Sequence, residues 1–171
     1  YAGLNFQYYN GNLKNFCVSP RAKISFSKNR FTFWADYAQT AQYLSLYPYF
    51  TVKTPVDIWY PLEKNMKPAL CHQYSIGAEQ EIQGGLTLYA GIFYKKMKHV
   101  KDFSSGLSTK YTALTDNMIT GSGHARGVEF NLALEHRKIS ARFNYTLSES
   151  KRKFAEINNG KSFFPPYDVK H

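Results

Sequence analysis

The chain has 171 residues, enough for one ordinary domain, and is 43% hydrophobic and 17% aromatic, with 14 Tyr and 13 Phe. That aromatic load excludes a disordered chain, and a formal charge of +10 asks for an anionic partner: nucleic acid, lipid headgroups or an anionic ligand. No run approaches the roughly 18 consecutive apolar residues of a membrane helix. A mean hydropathy of −0.46 fits either a soluble fold or a membrane barrel, whose strands alternate apolar and polar residues.

In chain order, period-2 alternation marks seven segments: 1–9, 16–28, 31–43, 70–82, 86–97, 124–136 and 139–150. Most run about 9–13 residues, longer than the ordinary strand mode of about 5–6 and close to the 9–11 that a tilted strand needs to cross a bilayer. The links alternate. Asn29-Arg30, Gln83-Gly84-Gly85 and Arg137-Lys138 are short, whereas 44–69 and 98–123 are long and a further long stretch starts at 149. Short turns at one rim and long loops at the other are the asymmetry of outer-membrane barrels.

Residues directly opposed in an antiparallel pair point to the same face, so the short turns test the pattern. Across the first, Phe26 meets Phe33, Ile24 meets Ala35 and Ala22 meets Tyr37. Across the second, Ala78 meets Ala90, Ile76 meets Ile92 and Tyr74 meets Tyr94. Across the third, Leu134 meets Ala141, Leu132 meets Phe143, Phe130 meets Tyr145 and Val128 meets Leu147. The other face pairs Lys23 with Asp36, Asn131 with Asn144 and Glu129 with Thr146, with Glu135 diagonal to Arg142. The alternation predicts Phe26, Phe33, Ile76, Ile92, Phe130, Leu132, Phe143 and Tyr145 toward lipid. The charged and polar residues Lys23, Asp36, Glu79, Arg126, Glu129, Asn131, Arg142 and Asn144 are expected toward a lumen. A soluble β-barrel binding domain would alternate too. Strand length, loop asymmetry and aromatic residues near strand ends favour an antiparallel transmembrane β-barrel segment of about seven strands.

Four stretches resemble the C-terminal half of a TonB-dependent outer-membrane receptor of the Bacteroidetes type. Lys64-Asn65-Met66-Lys67-Pro68 followed by Gln73-Tyr74-Ser75-Ile76-Gly77 is similar to the passage from a long outer loop into a strand. Gly121-Ser122-Gly123-His124-Ala125-Arg126-Gly127-Val128-Glu129-Phe130 resembles the glycine-containing strand start of these receptors, and Asn144-Tyr145-Thr146-Leu147-Ser148 the strand that follows. Glu156-Ile157-Asn158-Asn159-Gly160-Lys161, with Tyr167, Asp168 and His171, resembles the next outer loop and the approach to another strand. The resemblance covers most of the chain from about Ser19 onward.

It implies a plug-occluded 22-stranded barrel of the bacterial cell outer membrane that imports a scarce nutrient: siderophore, cobalamin, glycan or peptide. Residues 1–171 are then a partial barrel domain, with signal peptide, plug and closing strand lying outside them. The implied partners are outer-membrane lipid and lipopolysaccharide, the TonB complex through the plug, and a surface lipoprotein. A porin or adhesin barrel is the alternative within the membrane class.

Chemical motifs are weak. Ala155–Ser162 nearly matches a phosphate-binding loop, but Phe163-Phe164-Pro165-Pro166 follows where a helix should start. Residues 121–127 have the wrong spacing for a dinucleotide loop. The five histidines form no helical ligand pair and no nucleophile set emerges, so the reading is of a non-enzyme without cofactors. Cys17 and Cys71 sit on strands separated by one other and are expected as free thiols. Basic residues of the outer rim (Lys53, Lys64, Lys67, Lys98, Lys101, Lys110, Lys151, Arg152, Lys153) suit lipopolysaccharide phosphates or an anionic ligand. Nucleic acid is excluded by the mixed charge of the polar face. Tyr47, Tyr49, Phe50, Trp59 and Tyr60, in the first long loop, are the ligand-binding candidates.

Overall fold

The computed structural model describes residues 1–10, 14–47, 58–62, 66–103, 118–166 and 168–170. The fold is all-β. Its strands are β1 (Ala2–Asn10), β2 (Lys14–Lys28), β3 (Phe31–Gln42), β4 (Leu44–Tyr47), β5 (Ile58–Pro61), β6 (Ala69–Ile82), β7 (Leu86–Phe103), β8 (Met118–His136) and β9 (Ile139–Lys153). Seven of them form one antiparallel sheet in the order β1-β2-β3-β6-β7-β8-β9, and β4 pairs β5 in a separate two-stranded ladder. Consecutive long strands hydrogen-bond to one another, so the backbone N–H and C=O groups of the five inner strands are satisfied inside the sheet. The sheet is open, with β1 and β9 as its edges.

Every hairpin pair expected from the alternation is a register pair of the sheet, from Phe26 with Phe33 to Val128 with Leu147. The strands run further at the long-loop rim than the alternation alone marks. β7 reaches Phe103 and β8 starts at Met118. The alternation lapses at a bulge: the pairing jumps from Lys98 with Ser122 to Val100 with Gly121, leaving His99 as the extra residue at φ 53°. Beyond it odd and even residues of β7 exchange faces. The first long link is also partly ordered by β4 and β5. The connection between β1 and β2, residues 11–13, is short although it lies at the long-loop rim.

After β9 the chain makes a 3-10 turn at Asn158–Gly160 and returns along the upper free edge of β9. Arg152 and Phe163 exchange backbone hydrogen bonds of 2.9 Å, and the Ser148 N–H donates to the Lys170 carbonyl at 3.0 Å. The Ser150 N–H donates to Asp168 Oδ1 at 2.8 Å. Among the described apolar residues only Leu62, Val100 and Phe154 are buried, all near the long-loop rim. Among the described residues, no hydrophobic core lies beneath the apolar face of the sheet.

The opposite rim is closed by tight turns. Asn29 (φ 56°) and Arg137 (φ 51°) take the left-handed conformation at the first turn position, and Gly84 (φ 88°) and Gly85 (φ 80°) supply it in the middle turn. A Cβ on Gly85 would collide with the Glu135 carbonyl of the neighbouring turn. Gly85→Ala is expected to destabilise the fold by about 2 kcal/mol, through strain and that clash together. Arg137→Gly is expected to change little or to stabilise by up to about 1 kcal/mol, because it releases an unfavourable φ. Urea unfolding of the two variants beside the parent tests both.

Candidate functional site

The sheet has two chemically distinct faces. The eight residues predicted toward lipid share one face, with exposures between 37% and 63%. Leu4, Phe6, Tyr8 and Phe16 extend that face over β1 and β2, and Leu147 and Ile139 over β9, all exposed. The apolar stretch is not level across the strands. On β2 it spans Phe16 to Phe26 and ends at Lys28. On β7 it spans Leu86 to Tyr94, with Lys96 and Lys98 above. On β9 it spans Ile139 to Leu147, with Glu149, Lys151 and Lys153 above. Followed through the register, the belt slides by roughly six to eight residues over the five steps from β2 to β9. With a rise of about 3.3 Å per residue and about 4.8 Å between strands, it crosses the strands at a slope of about 40–48°.

On the polar face, aromatic rings fill the places of missing side chains. A Cβ on Gly77 would fall 2.6 Å from Trp34 Cζ2, and one on Gly127 would fall 2.8 Å from the Phe93 ring. The absence of a side chain is what lets each ring lie against the neighbouring strand. Trp34 stacks on Tyr89 at 6.0 Å between centroids, and Lys23 Nζ sits 5.2 Å above the Trp34 ring. Lys23 is opposite Asp36 as expected, yet its ammonium lies over the indole. Lys95 makes the same contact with Phe93 at 5.1 Å.

Two clefts open on this face. One of about 180 Å³ is lined by Asp36, Gln73, Ser75, Lys95 and Glu129, and one of about 400 Å³ by Glu79, Glu129, Asn131, Asn144 and Thr146; Tyr89 borders both. The Asn131 amide donates to Asn144 Oδ1. These groups offer donors, acceptors and both charge signs to a polar ligand or to water.

Seven of the eight residues predicted toward a lumen share this face. Arg126 does not. The two-residue period puts it with Val128 and Phe130, on the apolar face, opposite Glu149. Its guanidinium donates from Nε to Glu149 Oε1 at 2.7 Å and forms the ion pair at 2.7 Å. The expectation followed residue type, whereas parity along β8 decides the face. Arg152, in turn, lies on the polar-face side and pairs with Asp102 at 3.5 Å.

Tyr47 and Tyr60 belong to the β4–β5 ladder, where Tyr47 is opposite Ile58 and Ser45 opposite Tyr60. Trp59, opposite Leu46, is 58% exposed. Tyr49 and Phe50, like Lys53, Lys64 and Lys110, lie outside the described residues. Cys17 and Cys71 are free thiols. Among the described residues no cluster of His, Cys, Asp and Glu is placed to hold a metal ion, and no helix is long and apolar enough to cross a membrane. Alternation alone does not point to the aromatic-over-glycine contacts. The odd-numbered glycines of β8 on the polar face were the available signal.

Gly77→Val should push the Trp34 ring off the sheet. In a Trp59→Phe background, its emission should shift to longer wavelength and its quenching by iodide should increase; unchanged spectra would show that the ring does not depend on that space. Searches of protein-family models, of curated proteins and of solved structures give no match to this chain.

Proposed function

We propose that this chain forms part of the wall of an outer-membrane β-barrel, with the apolar face toward lipid and the polar face toward a hydrated lumen. The observation that carries the reading is the slanted apolar belt. Strands of membrane barrels tilt about 35–45° from the barrel axis, so a belt level with the bilayer must cross them obliquely. The slope of about 40–48° overlaps that range. The belt spans about ten residues on β2, which at that tilt is about 25 Å, the height of the apolar band on such barrels. Leaving these side chains in water would forfeit about 1.5–3 kcal/mol for each large one, and no core or second layer among the described residues covers them.

For the biological role, the motif series of the chain supports a TonB-dependent importer of a scarce nutrient. In that reading the polar face, with its stacked rings and mixed charges, lines the path around a plug. The β4–β5 aromatic hairpin belongs to the nutrient-facing loops. This assignment rests on resemblance, with the alternation of turn and loop lengths as its structural counterpart.

The wall reading is tested in phospholipid vesicles with single cysteines in a Cys17→Ser, Cys71→Ser background. Cysteines at Ile76, Ile92 and Phe130 should react with a bilayer-soluble probe. Cysteines at Glu79, Asn131 and Thr146 should react with a water-soluble maleimide. Equal maleimide reactivity at Ile76 and Glu79 would sink the membrane reading. The importer reading makes a separate demand: the full-length natural protein should cross-link to TonB in cells, and a protein that never does so is a passive barrel.

A further inference from the structure

We propose that the basic end of the apolar face binds the phosphate groups of an acidic lipid of the outer leaflet; this deepens the wall reading and rests on it. Beyond Tyr94 on β7 and Leu147 on β9, the face turns from apolar to charged and chiefly cationic. Lys96 and Lys98 stand on β7 and Lys151 and Lys153 on β9, in register across Ser122 and His124 of β8. Two strand spacings, about 10 Å, separate the lysine pairs, and about 7 Å separates the members of each pair. Four flexible ammonium stems thus surround a floor formed by Ser122 and His124. The cleft between them holds about 330 Å³ and is lined by Tyr94, Lys96, Lys98, His124, Lys151 and Lys153, among others.

The charge balance of this cleft is one-sided. Glu149 stands level with the tyrosine row, in register with Arg126 and Tyr94, and Arg126 occupies its Oε1 through the 2.7 Å ion pair. Lys151 lies 4.0 Å from the same oxygen and 4.9 Å from the Phe164 centroid, which Lys170 approaches at 5.0 Å from the returning chain. His124 stacks on Tyr94 at 6.5 Å between centroids. The arrangement holds cations together at an otherwise repulsive spacing, as a site for multiply charged oxyanions does.

Continuity with the belt selects a lipid over a free anion. Tyr94 also borders an apolar hollow of about 500 Å³, lined further by Ile24, Ala35, Tyr74, Ile76 and Ile92. An amphiphile with hydrocarbon at one end and phosphate at the other fits hollow and cleft together. Lysines at this level also extend toward the headgroup region while their stems cover apolar surface.

The test uses the chain inserted in phosphatidylcholine vesicles that contain a small fraction of a bisphosphorylated glucosamine lipid or its dephosphorylated form. Lipid retained after detergent extraction is counted by native mass spectrometry. The parent should retain the phosphorylated form preferentially. Joint substitution Lys96→Gln, Lys98→Gln, Lys151→Gln and Lys153→Gln should weaken retention at least about tenfold, since each lysine near an anionic surface contributes about fivefold. Joint substitution Lys28→Gln and Lys138→Gln, at the opposite rim, should leave it unchanged. Equal retention by the four-lysine variant, or no preference for the phosphorylated form, overturns the proposal while leaving the wall reading intact. Displacement of the lipid by millimolar inorganic phosphate makes the cleft a site for free anions and also overturns it. Failure of the parent to insert at all overturns the wall reading and this proposal with it. Matching protease resistance of the inserted parent and variant shows that lost retention is not lost folding.

Discussion

The backbone hydrogen-bond ladder is the constraint on which everything else depends. Seven strands pair edge to edge with almost no break in register, the bulge at His99 being the exception. Because the N–H and C=O groups of the inner strands are satisfied by neighbouring strands, the side chains of one face are free to be largely apolar. A sheet in water would need a layer over that face. Here Ile24 is 78% exposed and Phe143 62%, while the few buried apolar residues gather at one rim. Strand pairing and large apolar exposure are reconciled when the surrounding medium is hydrocarbon, where unsatisfied backbone groups are costly and apolar side chains are not.

The polar face solves a different problem. Water can reach it, so its rings gain from covering backbone. Trp34 over Gly77 and Phe93 over Gly127 replace side chain by ring on adjacent strands, and Lys23 and Lys95 place their charges on those rings. Packing, cation–π contact and strand register are coupled there. Moving one strand by a single residue would put a ring against a Cβ and turn the lysines to the wrong face. The polar face therefore reinforces the register that the apolar face requires.

The two ends of the sheet differ in kind. The turn rim is tight and strained at Asn29, Gly85 and Arg137. The other rim carries the long strand extensions, the β4–β5 hairpin, the Phe154–Phe163 contact and the basic cleft. In the proposed wall, one rim needs only to reverse the chain and the other would meet ligands and lipid headgroups.

The sequence by itself determined the strands, the three short turns, the hairpin registers and the two faces, because alternation at period 2 is local and a slip by one residue would invert every side chain. It did not show the face of Arg126, since charge type was allowed to outweigh parity, although Arg126 and Glu149 satisfy one another on the apolar side. Nor did it show the bulge at His99, the β4–β5 ladder or the return of residues 163–170 along β9. The tertiary structure decided those, because each depends on which strand lies alongside. The pairing of β3 with β6 across the long link brings Trp34 to Gly77, and the adjacency of β7, β8 and β9 gathers the lysines of two strands more than 50 residues apart in sequence into one cleft. Alternation assigns a residue to a face; only the sheet order says what stands beside it.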